Sequence, residues 1–286
     1  MEERKGVIMQ SAVERWHEIL DARAQQMDAA YARLGRTSAD FWERRAKNYH
    51  SSTKESVTND PLFRRLREVV TDQTTMLDVG AGTGRFALAL APFARHVTAV
   101  EPNAAMLHYL QQDAREAQLT NITFIPTNWQ DAPVATSADV VLCSHVLYPI
   151  WEIEAFLEKL RAATRQACYI YMRAAHFDAS TSTLWGHFHG ETRRSAPGYI
   201  HALDVLFELG IYADVEIVRM PWVMRYSSLD AATGELLEQL ILPDDARTRD
   251  ELRGLLTTWL IERDGVFMPP VDEQTCAILR MGPREE

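Results

Sequence analysis

The sequence predicts an α/β fold, a mostly parallel sheet covered by helices on both faces, and three observations predict it. First, five short and almost continuously apolar runs between Thr75 and Met172 alternate with helix-length amphipathic segments. Strands of that kind belong to a sheet buried on both sides, because each crossover lays a helix across one face. Second, three alternating glycines, Gly80, Gly82 and Gly84, join the first of these strands directly to its helix. Third, two further strand-like runs, at 213–218 and 275–280, follow the alternating block. A chain of 286 residues suits one large domain of this class with additions.

The elements follow in order. Val13, Trp16, Leu20, Ala24, Met27, Tyr31 and Leu34 recur every three or four residues, which places them on one helical face. Gly35 ends that helix, and Thr37-Ser38 caps a second helical segment over 41–49. Pro61, in a first turn, opens a third helix to Val70 with Leu62, Leu66 and Val69 facing inward. Residues 1–73 are thus expected to form an N-terminal helical cap that packs on the flank of the sheet or over its open end. The sheet domain, 74–286, is expected to place strands at 76–79, 96–100, 122–125, 138–143 and 167–172. Helices should follow at 86–90, 104–117 and 153–163. Residues 200–209 read as helix and stop at Gly210. A helical insertion at 229–262 separates the last two strands, and 176–198 reads as irregular. Segments 176–198 and 229–264 are expected to overhang the open end as lids.

Composition excludes several classes. Apolar residues make up 47% of the chain and charged residues 24%, enough material for a sizeable core. No run approaches the roughly 18 apolar residues of a membrane span. The opening residues lack the apolar centre of a signal peptide, so the expectation is a cytoplasmic protein with no membrane partner. The net charge is −10 and there is no long basic run, only local patches such as Arg193-Arg194, which argues against nucleic acid as partner. Cys143, Cys168 and Cys276 are far apart among apolar residues and imply neither a disulfide framework nor a metal site. The spacing in His187-Phe188-His189-Gly190-Glu191 matches no common zinc site, so no metal is expected.

The chemistry concentrates at strand ends. A glycine loop between a strand and a helix lets the backbone turn tightly and lets a ligand approach closely. The helix N-terminus behind it favours an anionic group. Glu101, followed by Pro102, ends the second strand, where a carboxylate can accept both hydroxyls of a ribose. A dinucleotide loop would need a glycine at position 85, which is Arg85. Instead the run is Asp78-x-Gly80-x-Gly82-x-Gly84, which resembles motif I of the class I S-adenosylmethionine-dependent methyltransferases, of the small-molecule type. Val100-Glu101-Pro102-Asn103 resembles their acidic second motif. The resemblance runs from about Phe41 to Gly282 and implies a Rossmann-like, seven-stranded, mostly parallel sheet with an antiparallel last strand. The helical insertion is its least typical part.

The resemblance also implies roles. Gly80 and Gly82 would lie under the methionine and ribose portions of S-adenosylmethionine, with Gly84 completing the loop and Asp78 fixing the loop and the amino group. Glu101 would bind the ribose, with Met106 near the adenine. Thr127-Asn128-Trp129 stands where relatives often have Gly-Asp-Ala; Asn128 would bond the adenine amino group and Trp129 would add a stacking surface. Ser144, His145 and Tyr148, after the fourth strand, would line the channel between sulfonium and acceptor. His145 has the pKa range of a general base, and Tyr148 would orient the acceptor. Trp42 and Tyr49 resemble aromatic positions of a helix that closes over the cofactor, Tyr49 offering an apolar face with a polar tip. Trp42, His176, Trp185, His189, Trp222 and Tyr226 are candidates for an aromatic acceptor pocket.

The expected activity is therefore methyl transfer to a small molecule. Two rivals are a non-catalytic S-adenosylmethionine-binding module, using the first helix as a partner surface, and an NAD-dependent oxidoreductase, which the glycine spacing disfavours. No Asn-Pro-Pro-Tyr or Asp-Pro-Pro-Tyr run of the amino-methylating kind and no Pro-Cys pair occurs, so a macromolecular acceptor is not expected.

Overall fold

The computed structural model describes residues 10–37, 57–222, 224–271 and 273–284. Trp42, Tyr49 and the helical segment expected over 41–49 lie outside the described residues.

Seven strands form one sheet: β1 (Thr75–Val79), β2 (His96–Val100), β3 (Ile122–Ile125), β4 (Ala138–Ser144), β5 (Thr164–Arg173), β6 (Asp214–Pro221) and β9 (Glu273–Met281). Their order is β3-β2-β1-β4-β5-β9-β6. Strands β1 to β5 pair in parallel, while β9 runs antiparallel to both β5 and β6. The last strand in the chain thus enters the sheet between β5 and β6, as the seven-stranded expectation requires. A separate two-stranded ribbon, β7 (Ile261–Arg263) with β8 (Val266–Met268), closes the insertion, where the sequence suggested helix alone.

The period-two alternation of strands divides the core cleanly. Leu77, Val79, Val141, Cys143, Cys168, Ile170, Ala277 and Leu279 face one side. There they meet α1 (Ala12–Arg33), α5 (Ile153–Ala163) and α7 (Tyr199–Glu208). Met76, Val97, Ala99, Val140, Leu142, Tyr169, Tyr171 and Ile278 face the other side, against α2 (Pro61–Val69), α3 (Arg85–Leu90) and α4 (Ala104–Glu116). All three cysteines are free and buried.

Helix α1 begins at a capping box in which Ser11 accepts from the Glu14 amide and Glu14 accepts from the Ser11 amide. Its first half, through Val13, Trp16 and Leu20, packs on the sheet flank; its last turns, through Ala30 and Tyr31, join a third core. That core is built from α6 (Ser182–His189), α8 (Leu229–Gln239) and α9 (Ala246–Trp259), with Leu184, Trp185, Leu236, Leu237, Leu252 and Leu256 at its centre. Helix α1 thus packs on the flank of the sheet and on the third core at once. Segment 176–198, read as irregular, contains α6, because burial of Leu184 and Trp185 outweighs the weak helix propensity of Ser182, Thr183 and Gly186.

Candidate active site

The glycine loop is fixed by backbone chemistry. The Gly80 and Ala81 amides donate to the Val100 carbonyl at 2.8 and 3.1 Å, which ties the loop to the end of β2. Gly80, Gly82 and Gly84 have φ of +72°, +58° and +91°, a region that costs a side chain about 1 kcal/mol or more. A Cβ on Gly80 would also overlap Val146, and one on Gly84 would overlap Leu110 and Leu88. Gly80 thus makes room for the loop after β4, and Gly84 lets α4 pack against the start of α3.

Glu101 stands at the carboxyl end of β2, 7% exposed, and bridges two loops. One carboxylate oxygen accepts the Gly82 amide and the other the Asn103 amide, both at 2.8 Å. Each oxygen keeps a lone pair for a further donor, so the geometry leaves capacity for two hydroxyls. Burial raises the pKa of this carboxyl above the usual value, and the two amides counteract it. Asp78, 2% exposed at the end of β1, is pushed up to about 7. Burial is the main cause, the Ala87 amide in the first turn of α3 opposes it, and the neighbouring Glu101 charge adds to it. Pro102 is exposed, Asn103 caps α4 by accepting the Met106 amide at 3.0 Å, and Met106 is buried.

The adenine-side expectations fare differently. Asn128 is exposed, with its Nδ2 3.5 Å from Asp131 Oδ2. Trp129 is 3% exposed and packs into the core shared with α5, where Lys159 lies 4.9 Å from its ring and bonds the carbonyls of Gln130 and Ala132. Its ring is a packing element here, which corrects the reading of Trp129 as an open stacking surface.

Across the sheet, β4 ends at Ser144, and His145 turns out of it with φ +59°, a conformation a non-glycine residue holds only under constraint. Its amide still donates to the Tyr171 carbonyl at 2.8 Å. His145 Nδ1 and Tyr148 Oη are 3.2 Å apart, and Tyr148 Oη accepts the Arg173 amide at 2.8 Å. The phenol oxygen has a second lone pair, so Tyr148 can either donate to His145 Nδ1 or accept from it, and the pair accommodates either neutral tautomer of the ring. Burial, helped by the charges of Arg173, Arg85 and His176, lowers the His145 pKa well below its usual value. Burial also pushes the Tyr148 hydroxyl up to about 12.

His176 meets the Tyr148 ring edge-on, with centroids 4.9 Å apart, and its Nδ1 lies 2.7 Å from Asp178 Oδ1. Burial holds the His176 pKa below its ordinary value against the pull of Asp178. Asp178, 2% exposed, gathers Arg23 of α1 at 2.5 Å and Arg193 at 3.4 Å. Burial would raise its pKa, but His176, Arg23 and Arg193 outweigh that and hold it below the carboxylate range. Arg193 continues to Thr181 Oγ1 and the Gln239 carbonyl, so this one carboxylate joins α1, the segment after β5 and the end of α8. Helix α1 adds a second clamp, with Trp16 Nε1 donating to the Ile150 carbonyl at 2.7 Å and His17 stacked on Trp151.

Of the described acceptor-pocket candidates, the structure places His176 beside Tyr148 at the end of β4, and Trp222 directly follows the end of β6. Trp185 (fully buried) and Tyr226 (3% exposed) are core residues of the α6–α8–α9 unit, and Trp222 packs against it. His189 stacks on Trp185 at 3.9 Å and approaches the Leu240 carbonyl at 2.8 Å. Trp185 and Tyr226 are corrected to packing roles: an aromatic in this segment finds the leucine faces of α8 and α9 before it finds solvent. His187 pairs with the exposed Glu251 at 2.8 Å. A shallow concavity of about 390 Å³ over α6, lined by Ser182, Thr183, Gly186, Gly190, Glu191 and Thr192, includes no strand-end residue. Sequence reasoning missed Arg23, Asp178 and the Asp60–Arg85 pair. The last joins the α2 N-cap to the first residue of α3 at 2.6 Å.

Residues 76–167 match the model of a methyltransferase domain family. A protein of Haemophilus influenzae with no assigned function is 28% identical over 191 residues, covering 62% of this chain and 65% of that relative, so the match spans less than two thirds of the relative's length. Among solved structures, a candidate methyltransferase from Bacillus halodurans C-125 superposes with a TM-score of 0.54 at 13% identity, covering 78% of this chain and 99% of that one. The YcgJ protein of Bacillus subtilis gives 0.52 at 14% identity, covering 83% and 100%. At these identities the likeness is one of fold.

Proposed function

We propose that this chain, which carries a methyltransferase domain on the class I fold, transfers a methyl group from S-adenosylmethionine to a small-molecule acceptor held beneath its helical elements. The observation that carries this reading is Glu101, whose carboxylate secures Gly82 and Asn103 at the mouth of the glycine loop. A buried carboxylate with spare lone pairs, beside a loop with three positive φ angles and the N-terminus of α3, fits a nucleoside bearing vicinal hydroxyls. Glu101 would take the ribose hydroxyls, Met106 would supply an apolar contact for the base, and Asp78 with the loop amides would hold the amino-acid end.

When bound, the donor supplies an activated methyl on a sulfonium, so the protein's contribution is in-line placement and exclusion of water. Transfer breaks the bond from sulfur to methyl carbon, forms one to the acceptor atom, and leaves S-adenosylhomocysteine. Ser144, His145 and Tyr148 follow directly from β4, adjacent to β1 in the sheet, and would face the reacting centre. His145 would meet the acceptor as a neutral imidazole, able to orient it or to take its proton as the methyl arrives. We read residues 1–73 as a cap, with 176–198 and 229–264 as lid segments tied to it through Asp178.

Isothermal titration with S-adenosylmethionine tests the reading. The expected result is one saturable site per chain; absence of heat or saturation at about millimolar ligand, a binding free energy weaker than roughly 4 kcal/mol, sinks it.

A further inference from the structure

Arg173, the last residue of β5, holds its guanidinium between Gln274 of β9 and the Tyr148 hydroxyl that follows β4. Its Nε donates to Gln274 Oε1 at 2.8 Å, and buried Gln274 in turn approaches the Pro221 carbonyl at 3.4 Å. Its amide, and also its side chain, reach the Tyr148 hydroxyl. The residue is half-buried, and its charge is felt at both imidazoles that contact Tyr148, those of His145 and His176.

The neighbouring arginines are neutralised by carboxylates: Arg85 by Asp60, and Arg23 and Arg193 by Asp178. Among the described residues no carboxylate pairs with Arg173. An amide such as Gln274 orients a guanidinium without cancelling its charge. A half-buried guanidinium held by an amide, with no counter-charge among the described residues, is suited to a planar or tetrahedral anion.

We propose that Arg173 anchors an anionic group, a carboxylate or a phosphate, on the methyl acceptor, with the Tyr148 hydroxyl beside it. The acceptor is then a small acid whose charged group lies next to the atom that receives the methyl. This rests on the methyl-transfer reading above. The donor's own carboxylate is the other possible source of such an anion. It belongs to the glycine loop after β1, however, and β4 stands between β1 and β5.

The experiment titrates benzoate, phenyl phosphate and the neutral benzamide into the protein by calorimetry, with and without saturating S-adenosylhomocysteine. Arg173→Met and Arg173→Lys are run alongside the wild type. The expected result is saturable binding of at least one anion to the wild type, about tenfold or more weaker in Arg173→Met, with benzamide not binding. Affinity for S-adenosylhomocysteine should stay within about twofold across the three proteins. Should the Met variant fail to fold, the Lys variant keeps the charge but not the fork and should weaken the anion by about threefold or more. No saturable anion binding to the wild type overturns the proposal, as do equal affinities in wild type and variants, or equal binding of benzamide. A loss of S-adenosylhomocysteine binding that matches the loss of anion binding assigns Arg173 to the donor instead and also overturns it. Failure of the wild type to bind S-adenosylhomocysteine strikes the methyl-transfer reading, and the titrations without that ligand report on Arg173 separately.

Discussion

Replacing Asp78 by Asn removes one ionisable group from the floor of the glycine loop and keeps its shape. The Ala87 amide that Asp78 accepts can be accepted equally by the Asn carbonyl oxygen. In the folded chain burial pushes this carboxyl from 3.8 up to about 7. Between those two values the unfolded chain is ionised at this site and the folded chain is protonated. Folding therefore takes up a proton, and stability falls as pH rises. The loss is about 1.4 kcal/mol per pH unit and approaches about 4 kcal/mol once pH exceeds the folded value. Below 3.8 both states are protonated and the group contributes nothing. The assay is urea unfolding of wild type and Asp78→Asn at pH 5 and pH 8. Wild type should lose about 2 to 3 kcal/mol more than the variant over that interval, so the variant is relatively more stable at pH 8. Equal changes with pH in the two proteins would refute the claim that a buried, protonatable carboxyl sits under the loop. A variant that gains at pH 5 rather than at pH 8 would refute the sign.

Other predictions follow from the same geometry. Asp178→Asn removes the buried carboxylate that faces both Arg23 and Arg193 and should lower unfolding stability by about 3 to 5 kcal/mol, read by urea denaturation at pH 7. Because its folded pKa lies below the unfolded one, the Asp178 contribution is present in full above about pH 4 and is lost as pH falls further. Gly84→Ala places a Cβ at φ +91° against Leu110 and should cost about 1 to 2 kcal/mol in the same assay; an unchanged midpoint would contradict it. Glu101→Gln replaces a charged acceptor by a neutral one at the loop mouth and should weaken S-adenosylhomocysteine by roughly 10- to 100-fold in calorimetry, with secondary structure by circular dichroism unchanged.

Much of this architecture was legible in the chain itself. Strands such as 96–100 and 122–125 coincide with the observed elements because a doubly covered strand must be apolar on both faces. The glycine loop and Glu101 were legible because positive φ and a strand-end carboxylate are local requirements. The third core was not. Whether Trp185 faces a ligand or a leucine depends on α8 and α9, which lie more than forty residues further on. The charge cluster was hidden for the same reason: Arg23 and Asp178 are separated by 155 positions, and no local pattern couples them. Arg173 reads as the polar end of an apolar strand; only the placement of Gln274 on β9 reveals that an amide, not a carboxylate, holds it.

The most direct test of the account is a co-crystal structure with S-adenosylhomocysteine. Its ribose hydroxyls are expected on Glu101 and its sulfur turned toward the end of β4, facing Ser144 and the His145–Tyr148 pair. A nucleoside bound away from the glycine loop, or a sulfur facing the β3 edge of the sheet, would contradict it.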